Sequence, residues 1–556
     1  MTSNHISARA SRRWACCIAL AVALLRSIGF DPISTPVRAA TGDLDPSFGS
    51  GGKVVTNFGG FASIHALAVQ NDGKIIAAGT SGVKFALARY NANGSLDSGF
   101  GDNGTLTTDF FDGAGFEQAN AMLLQPDGKI VAAGYAQSSR TGFDFVLARY
   151  NSDGTADKSF GSLGRVTTDF LGFNSDEAAY ALAIQSDGKI IAAGSTSSPV
   201  FRLNQVFGLA RYNQDGSLDL SFGNGGKVAT SFFNNSSFNE VARALVIQPD
   251  GKILAAGAAF EDFGLARFNS DGSLDTSFGN GGKVITDISL HGTSIDEVLA
   301  ISLQADGRIV AAGRSIISPG SEGLAVAHYN FDGSLDTGFG LGGKLTADFF
   351  PTGTGLLGAG LNSVAFQADG KIVAGGLSSP IPTSDFGIAR YNSDGTLDSS
   401  FGSGGKVTTD LGVSRFGGSR AAIYTLALQA DGKIIAAGED GSLDFALARY
   451  DVPVESDFAL GFDAVQITAE RGTSVGVTVN INRFGGFSGA VTVTPPDASS
   501  IKVKSKPPDP ISSTEATVSF KLKVKATALT GSHQLIFTGS DNSGRTRNAT
   551  LTLRIE

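Results

Sequence analysis

Tyr180-Ala-Leu-Ala-Ile-Gln-Ser-Asp-Gly-Lys-Ile-Ile-Ala-Ala-Gly194 is the stretch that decides the fold. Two apolar-rich runs, Tyr180–Gln185 and Lys189–Gly194, flank Ser-Asp-Gly, where Gly188 supplies the left-handed position of a tight hairpin. Phe207-Gly-Leu-Ala-Arg-Tyr-Asn213 reads as a third strand. Lys227-Val-Ala-Thr-Ser-Phe232 reads as a fourth, after a loop rich in Asn, Asp, Gly and Ser. Four short strands joined by turn chemistry make one antiparallel blade, and no stretch of the chain carries helical periodicity. Ala-Ala-Gly beside the hairpin suits a crowded place where sheets approach closely.

The unit recurs. Its Asp-Gly turns fall at Asp72, Asp127, Asp187, Asp250, Asp306, Asp369 and Asp431, at intervals of 55 to 63 residues. A second marker is Phe48, Phe100, Phe160, Phe222, Phe278, Phe339 and Phe401. A third is the arginine of Ala-Arg-Tyr-Asn: Arg89, Arg149, Arg211, Arg267, Arg390 and Arg449, with His328 as the exception. Three markers in fixed order, seven times, predict an all-β, seven-bladed β-propeller over residues 40–452. The alternative, an open β-solenoid, usually has shorter coils. The ends favour closure. A lone strand at Gly52–Asn57 precedes the first full unit and the last unit stops at Tyr450, so the former completes the last blade and removes two sheet edges. A charged arginine inside a strand requires a partner, and a repeated Asp of the same unit supplies one.

The pattern LDxSFGxGGKV…AVQxDGKIIAAG…FALARYNxDGS resembles the delta-60 repeat of bacterial secreted proteins, over nearly all of residues 44–450. The resemblance implies a propeller and export. It implies no activity, because that family is defined by its repeat.

Residues 455–556 lose the repeat and turn to alternating strands at Ser474–Ile481, Ala490–Thr494, Ala516–Lys525, Gln534–Phe537 and Ala549–Arg554. About a hundred residues of this kind predict an immunoglobulin-like β-sandwich. The segment resembles the Ig-like modules of bacterial exported proteins, without the Cys–Trp–Cys core of antibody domains. Lys521, Lys523 and Lys525 share one strand face and read as a solvated outer surface.

Residues 1–39 read as a secretory signal peptide. Arg9, Arg12 and Arg13 precede an apolar run from Trp14 to Leu25, and Val37-Arg-Ala39 offers a cleavage site. The run is too short to span a bilayer, and Ser-Arg-Arg at 11–13 is compatible with a twin-arginine route. Cleavage removes Cys16, Cys17 and the single tryptophan, so the expected mature chain has no disulfide, no thiol nucleophile and no cysteine metal site. The expected location is secreted, periplasmic or cell-surface, with no transmembrane segment. With 43 basic against 52 acidic residues, a net charge of −9, the chain lacks the basic footprint a nucleic-acid partner needs.

Chemistry is sparse. Phe401-Gly-Ser-Gly-Gly-Lys406 runs into a strand and not into the helix of a phosphate loop. The Asn269–Asp275 type of loop has cation-like oxygens, which Asx turns explain equally well. In a meander alternate turns share a face, so the uniform Asp-Gly hairpins lie opposite the irregular segments, and irregular loops are where function concentrates. On that irregular rim the pairs Asp144/Asp169, Asp262/Asp287 and Asp385/Asp410 offer oxygen ligands of the kind calcium prefers. The expected function is non-enzymatic binding on a propeller platform, with an unidentified ligand, protein or cell-surface component as partner. The alternative is a propeller hydrolase or lyase with His65, Arg243 and His291, on irregular-face segments, as candidate catalytic groups. A lectin is less favoured, since a mature chain without Trp lacks the best sugar-stacking side chain.

Overall fold

The computed structural model describes residues 41–556, except 112, 114, 173–174, 199–203, 234–238, 289–294, 305, 319–320, 351–359, 379–383, 413–420, 453–456, 463–465, 485–486, 488, 497–500, 506–515 and 543. The leader at 1–39 and His291 lie outside the described residues. All regular structure among the described residues is β, and no helix there is long and apolar enough to cross a membrane.

After β1 (Lys53–Thr56), the first blade runs β2 (Ala62–Val69), β3 (Ile75–Ser81), β4 (Lys84–Tyr90) and β5 (Thr105–Thr108), paired in that order as an antiparallel meander. The same meander recurs in each later repeat. The second blade adds a two-residue parallel edge, Ser175–Asp176, against Gly142–Tyr150. The first strands of successive blades neighbour one another around a ring, and the last of them, Ala422–Leu428, meets β2. The seventh blade is completed by β1, which pairs antiparallel with Phe445–Tyr450 from Lys53↔Ala448 to Thr56↔Phe445. The ring is therefore closed, with the first strand of every blade innermost.

Apolar side chains of the second and third strands are buried on both faces, as in Ile75–Ala78 and Phe85–Ala88, because each blade is sandwiched between two others. The core clusters accordingly straddle blade boundaries: one joins Ile76, Phe85 and Phe100 to Ala119, Ile130 and Val146 of the next blade. The repeated arginine adds a polar clamp. Each of the six bonds an Asp carboxylate of its own blade at 2.7–2.8 Å and lies over a repeated Phe. A lysine from the Asp-Gly hairpin joins the same carboxylate at 2.9–3.1 Å. Arg89, Arg149, Arg211, Arg267 and Arg449 also donate to a carbonyl in the following blade. In the seventh blade Arg449 takes Asp45, 404 residues away in sequence, so the clamp closes the ring together with β1. In the fifth, His328 stacks on Phe339 and Arg308, at the usual lysine position, takes Asp336.

Beyond Tyr450 the chain builds two further four-stranded sheets. One pairs Asp457–Phe462, Ser474–Phe484, Thr517–Val524 and Ile501–Ser505. The other pairs Gln466–Ala469, Thr546–Ile555, Gly531–Asp541 and Val491–Thr494. Both contribute to one apolar core containing Val479, Phe520, Leu535, Phe537 and Leu551. Three of these strands, Asp457–Phe462, Gln466–Ala469 and Ile501–Ser505, escape the sequence reading because they are short or weakly alternating. Along Thr517–Val524, Phe520, Leu522 and Val524 are buried while Lys521 is exposed, which places the lysine stripe on the outer face.

Candidate functional site

Each innermost strand carries a β-bulge at the same position. The register slips between Ile64 and Ala66, Ala119 and Ala121, Ala179 and Ala181, Ala242 and Ala244, Val298 and Ala300, Leu361 and Ser363, and Ile423 and Thr425. The extra residues are His65, Asn120, Tyr180, Arg243, Leu299, Asn362 and Tyr424, and all seven line a central channel of about 360 Å³. A bulge re-aims one side chain per strand. Here it does so seven times, towards the axis.

The glycine of Ala-Ala-Gly makes the bulge possible. A Cβ on Gly79 would stand 1.9 Å from the Ser63 carbonyl, and one on Gly194 would stand 1.8 Å from that of Ala178. Only glycine lets the bulged strand come this close to its neighbour. This glycine is the sequence signal of the bulge, legible as crowding but not as a bulge.

His65 and Arg243 are thus both brought to the channel. They sit inside inner strands and not on irregular-face segments, because the bulge turns a strand residue inward. His65 stacks on Tyr424 with centroids 4.8 Å apart, and its Nε2 meets Ser63 Oγ at 2.9 Å. Burial pushes the His65 imidazolium down to about 4, so the ring is neutral at physiological pH. Tyr424 donates its hydroxyl to Glu439 at 2.9 Å. Asn120 and Asn362 reach sideways to backbone carbonyls of the next inner strand, Ala179 and Ile423. Arg243 lies over the Tyr180 ring at 4.0 Å and gives its Nε to Glu297 at 2.7 Å. Arg314 takes the other oxygen of Glu297, through Nε at 3.0 Å and Nη2 at 2.7 Å. Glu297, Arg314, Gln118, Tyr180 and Tyr424 were not singled out by sequence.

A larger hollow, about 720 Å³, opens between the second and third blades, lined by Lys129, Arg149, Gln185 and Asp215. Its lining consists largely of hairpin and clamp residues that recur in every repeat. The smaller channel is the better candidate, since its lining differs blade by blade.

At each blade boundary the start of a third strand, the end of the following fourth strand and the start of the next inner strand converge. Among the described residues two boundaries hold three carboxylates each, Asp144, Asp169 and Glu177, and Asp262, Asp287 and Asp296, with one oxygen of each lying within 4.8 Å of the others. Glu177 and Asp296 complete pairs that sequence had found as twos. The third pair, Asp385 and Asp410, has the apolar Ala421 at the completing position. The three pairs belong to the second, fourth and sixth blades, so they are separate places and not one rim cluster. Burial pushes Glu177 up to about 7, with Asp169 and Asp144 adding to it, and Asp144 is pushed up for the same reasons. Asp144 is 4% exposed, with Oδ2 accepting from Thr141 and Oδ1 lacking a donor. At the first boundary Lys84 stands where Asp144 and Asp262 stand, and its Nζ meets Asp109 at 3.0 Å. The Asn-x-Asp-Gly loops are closed internally: Asp271 Oδ1 accepts from the amide and hydroxyl of Ser273.

A closed ring of four-stranded blades around a lined channel defines a β-propeller. Seven segments, residues 70–100, 125–160, 185–222, 248–278, 304–339, 367–401 and 429–452, match the family described as Domain of unknown function (DUF5122) beta-propeller, so the chain carries seven repeats of that kind. Among solved structures, the chain is similar to a protein from Lactobacillus plantarum, at 13% identity over 62% of this chain and 86% of that one, with a TM-score of 0.36. It is also similar to domains 4 and 5 of the S-layer protein SbsC, at 14% identity over 22% of this chain and 65% of that one, with a TM-score of 0.14. At these scores neither likeness bears on fold or function. No curated protein matches the chain.

Proposed function

We propose that this is an exported, non-enzymatic binding protein whose binding centre is the channel ring. In this reading residues 1–39 direct export, the repeat is the delta-60 repeat, and the C-terminal pair of sheets is an Ig-like spacer or attachment module. One observation carries the proposal: seven bulge residues of five side-chain types project into one channel from a frame that is otherwise nearly repetitive. Repetition accounts for stability, and departures from it concentrated at one concave place are what ligand recognition requires. The test is native mass spectrometry of the exported protein after exposure to conditioned medium. A retained small molecule, lost on Tyr424→Ala and Arg243→Gln, is the expected result. Equal spectra for all three proteins overturn the reading.

The hydrolase alternative draws on the Ser63–His65 contact. Ser63 is buried and is not among the residues lining the channel, and no carboxylate among the described residues hydrogen-bonds His65. With its imidazolium destabilised by burial, His65 is a weak base.

We also propose that calcium occupies the two carboxylate triads. The favouring observation is the buried Asp144 Oδ1 without a donor, at a place where the first boundary has a lysine ammonium. All-oxygen donors suit calcium better than zinc. Millimolar calcium should raise the melting temperature, against magnesium and chelator controls, and the shift should vanish in Asp169→Asn with Asp287→Asn. An unchanged melt leaves the triads as largely buried carboxylates held by protonation and hydrogen bonds without a cation.

A further inference from the structure

We infer that the channel takes a small monocarboxylate, its carboxylate on Arg243 and its body against the His65–Tyr424 stack; this rests on the binding reading above. The argument begins with charge. The channel lining contains two guanidinium groups, Arg243 and Arg314, and one carboxylate, Glu297. Glu297 is 3% exposed and has both oxygens taken, Oε1 by Arg243 and Oε2 by Arg314. Arg314 has a second carboxylate, Glu322, at 4.0 Å. Arg243 has none within that distance among the described residues. The two arginines thus share Glu297, and Arg243, with no second carboxylate beside it among the described residues, is the less neutralised of the two.

Geometry favours a carboxylate there. Arg243 is anchored through Nε and lies over Tyr180 at 4.0 Å, and its side chain is one-third exposed. A guanidinium anchored through Nε keeps its terminal amino edge for the planar, two-point contact that a carboxylate offers. Because the stack and the ion pair orient the group beforehand, little rotamer freedom is left to lose on binding. A guanidinium that shares its carboxylate with a second arginine keeps only part of its charge for a ligand, which suits a monoanion better than the dianion of a phosphate. His65 is neutral and adds no second anion contact. With Tyr424 it presents an aromatic surface suited to a flat or CH-rich body. The channel volume, about 360 Å³, is at the lower end of small-ligand sites.

The experiment is a thermal melt of the exported chain with 10 mM glucuronate or benzoate as probes. Glucose and inorganic phosphate serve as controls at matched ionic strength. One or both monocarboxylates should raise the melting temperature by about 2 °C. The shift should be lost in Arg243→Gln and reduced in Arg243→Lys, which keeps the charge but not the fork. Unliganded circular dichroism and melting of each variant establish that it is folded. If neither monocarboxylate shifts the wild type, or if the shift persists in Arg243→Gln, the inference is overturned. A shift with glucose or phosphate that Tyr424→Ala abolishes leaves the channel as a binding centre and removes only the carboxylate assignment. If mass spectrometry also finds no ring-dependent ligand, the binding reading itself falls.

Discussion

The uniform face of the propeller and its central channel are built from the same seven repeats, yet they use repetition in opposite ways. On the uniform face the arginine, aspartate and lysine of the clamp recur almost without change, and even the departure in the fifth blade is compensated. There His328 takes the arginine position while Arg308 supplies the ion pair from the lysine position. In the channel the bulge position repeats but its occupant varies: one imidazole, two amides, two phenols, one guanidinium and one isobutyl group share one ring. Among the described residues five of the arginine clamps bridge two blades, so a change there weakens a boundary on which closure depends. A bulge residue meets its neighbours around a channel, where its chemistry can vary at small cost to the frame.

The sharpest way to break this comparison is to open the ring. Deleting residues 44–58 removes β1 and Asp45 together, exposing the edge of Phe445–Tyr450 and leaving Arg449 without its carboxylate. Chemical denaturation should show loss of most of the propeller's cooperative stability, whereas deletion of 455–556, which has its own core, should leave the propeller transition in place. Equal effects would mean that closure contributes little beyond stacking.

A smaller effect tests one clamp against one ring residue. Arg267 is 1% exposed and pairs with Asp275 at 2.7 Å. Burial pushes the Asp275 carboxyl up, but Ser277, Lys252 and Arg267 together hold it well below the ordinary range. Arg267→Ala should cost about 3 kcal/mol, since it leaves Asp275 to Lys252 and Ser277 and removes the bond across the blade boundary to the Phe331 carbonyl. Tyr424→Ala, which loses the His65 stack, should cost about 1 kcal/mol. Comparable losses in urea melts would show that the channel ring is scaffold.

The smallest effect concerns Glu177. Its carboxyl is raised from the ordinary 4.5 to about 7, so the folded chain holds this proton more tightly than the unfolded one. The stabilisation from that proton is fully present below about pH 4.5 and is lost as pH rises through 7, a change of about 3 kcal/mol at most. Glu177→Gln should flatten the pH dependence of stability over that window. In the wild type, a cation at the triad should raise stability most at the alkaline end, where the carboxylate is ionised. A slope unaltered by Glu177→Gln would assign the pH dependence to other groups.

Much of this was legible beforehand. The hairpin at Ser186-Asp-Gly188, the arginine–aspartate partnership and the closure by the strand at residues 53–56 all follow from local turn chemistry, charge pairing and unpaired ends. The acidic pairs Asp144/Asp169 and Asp262/Asp287 were also readable, since both members flank paired strands of one blade. Glu177 and Asp296 were not, because they come from the following blade and meet the pair only across a boundary.

The channel ring marks the division most clearly. A repeated pattern determines by itself which residues form strands, where each hairpin turns and how many blades there are, because those are matters of local propensity and count. A bulge is a slip of one residue between two paired strands, so it exists only once both are in register. Whether His65 or Arg243 then faces a neighbouring blade, solvent or a shared axis is decided only when seven sheets close around that axis.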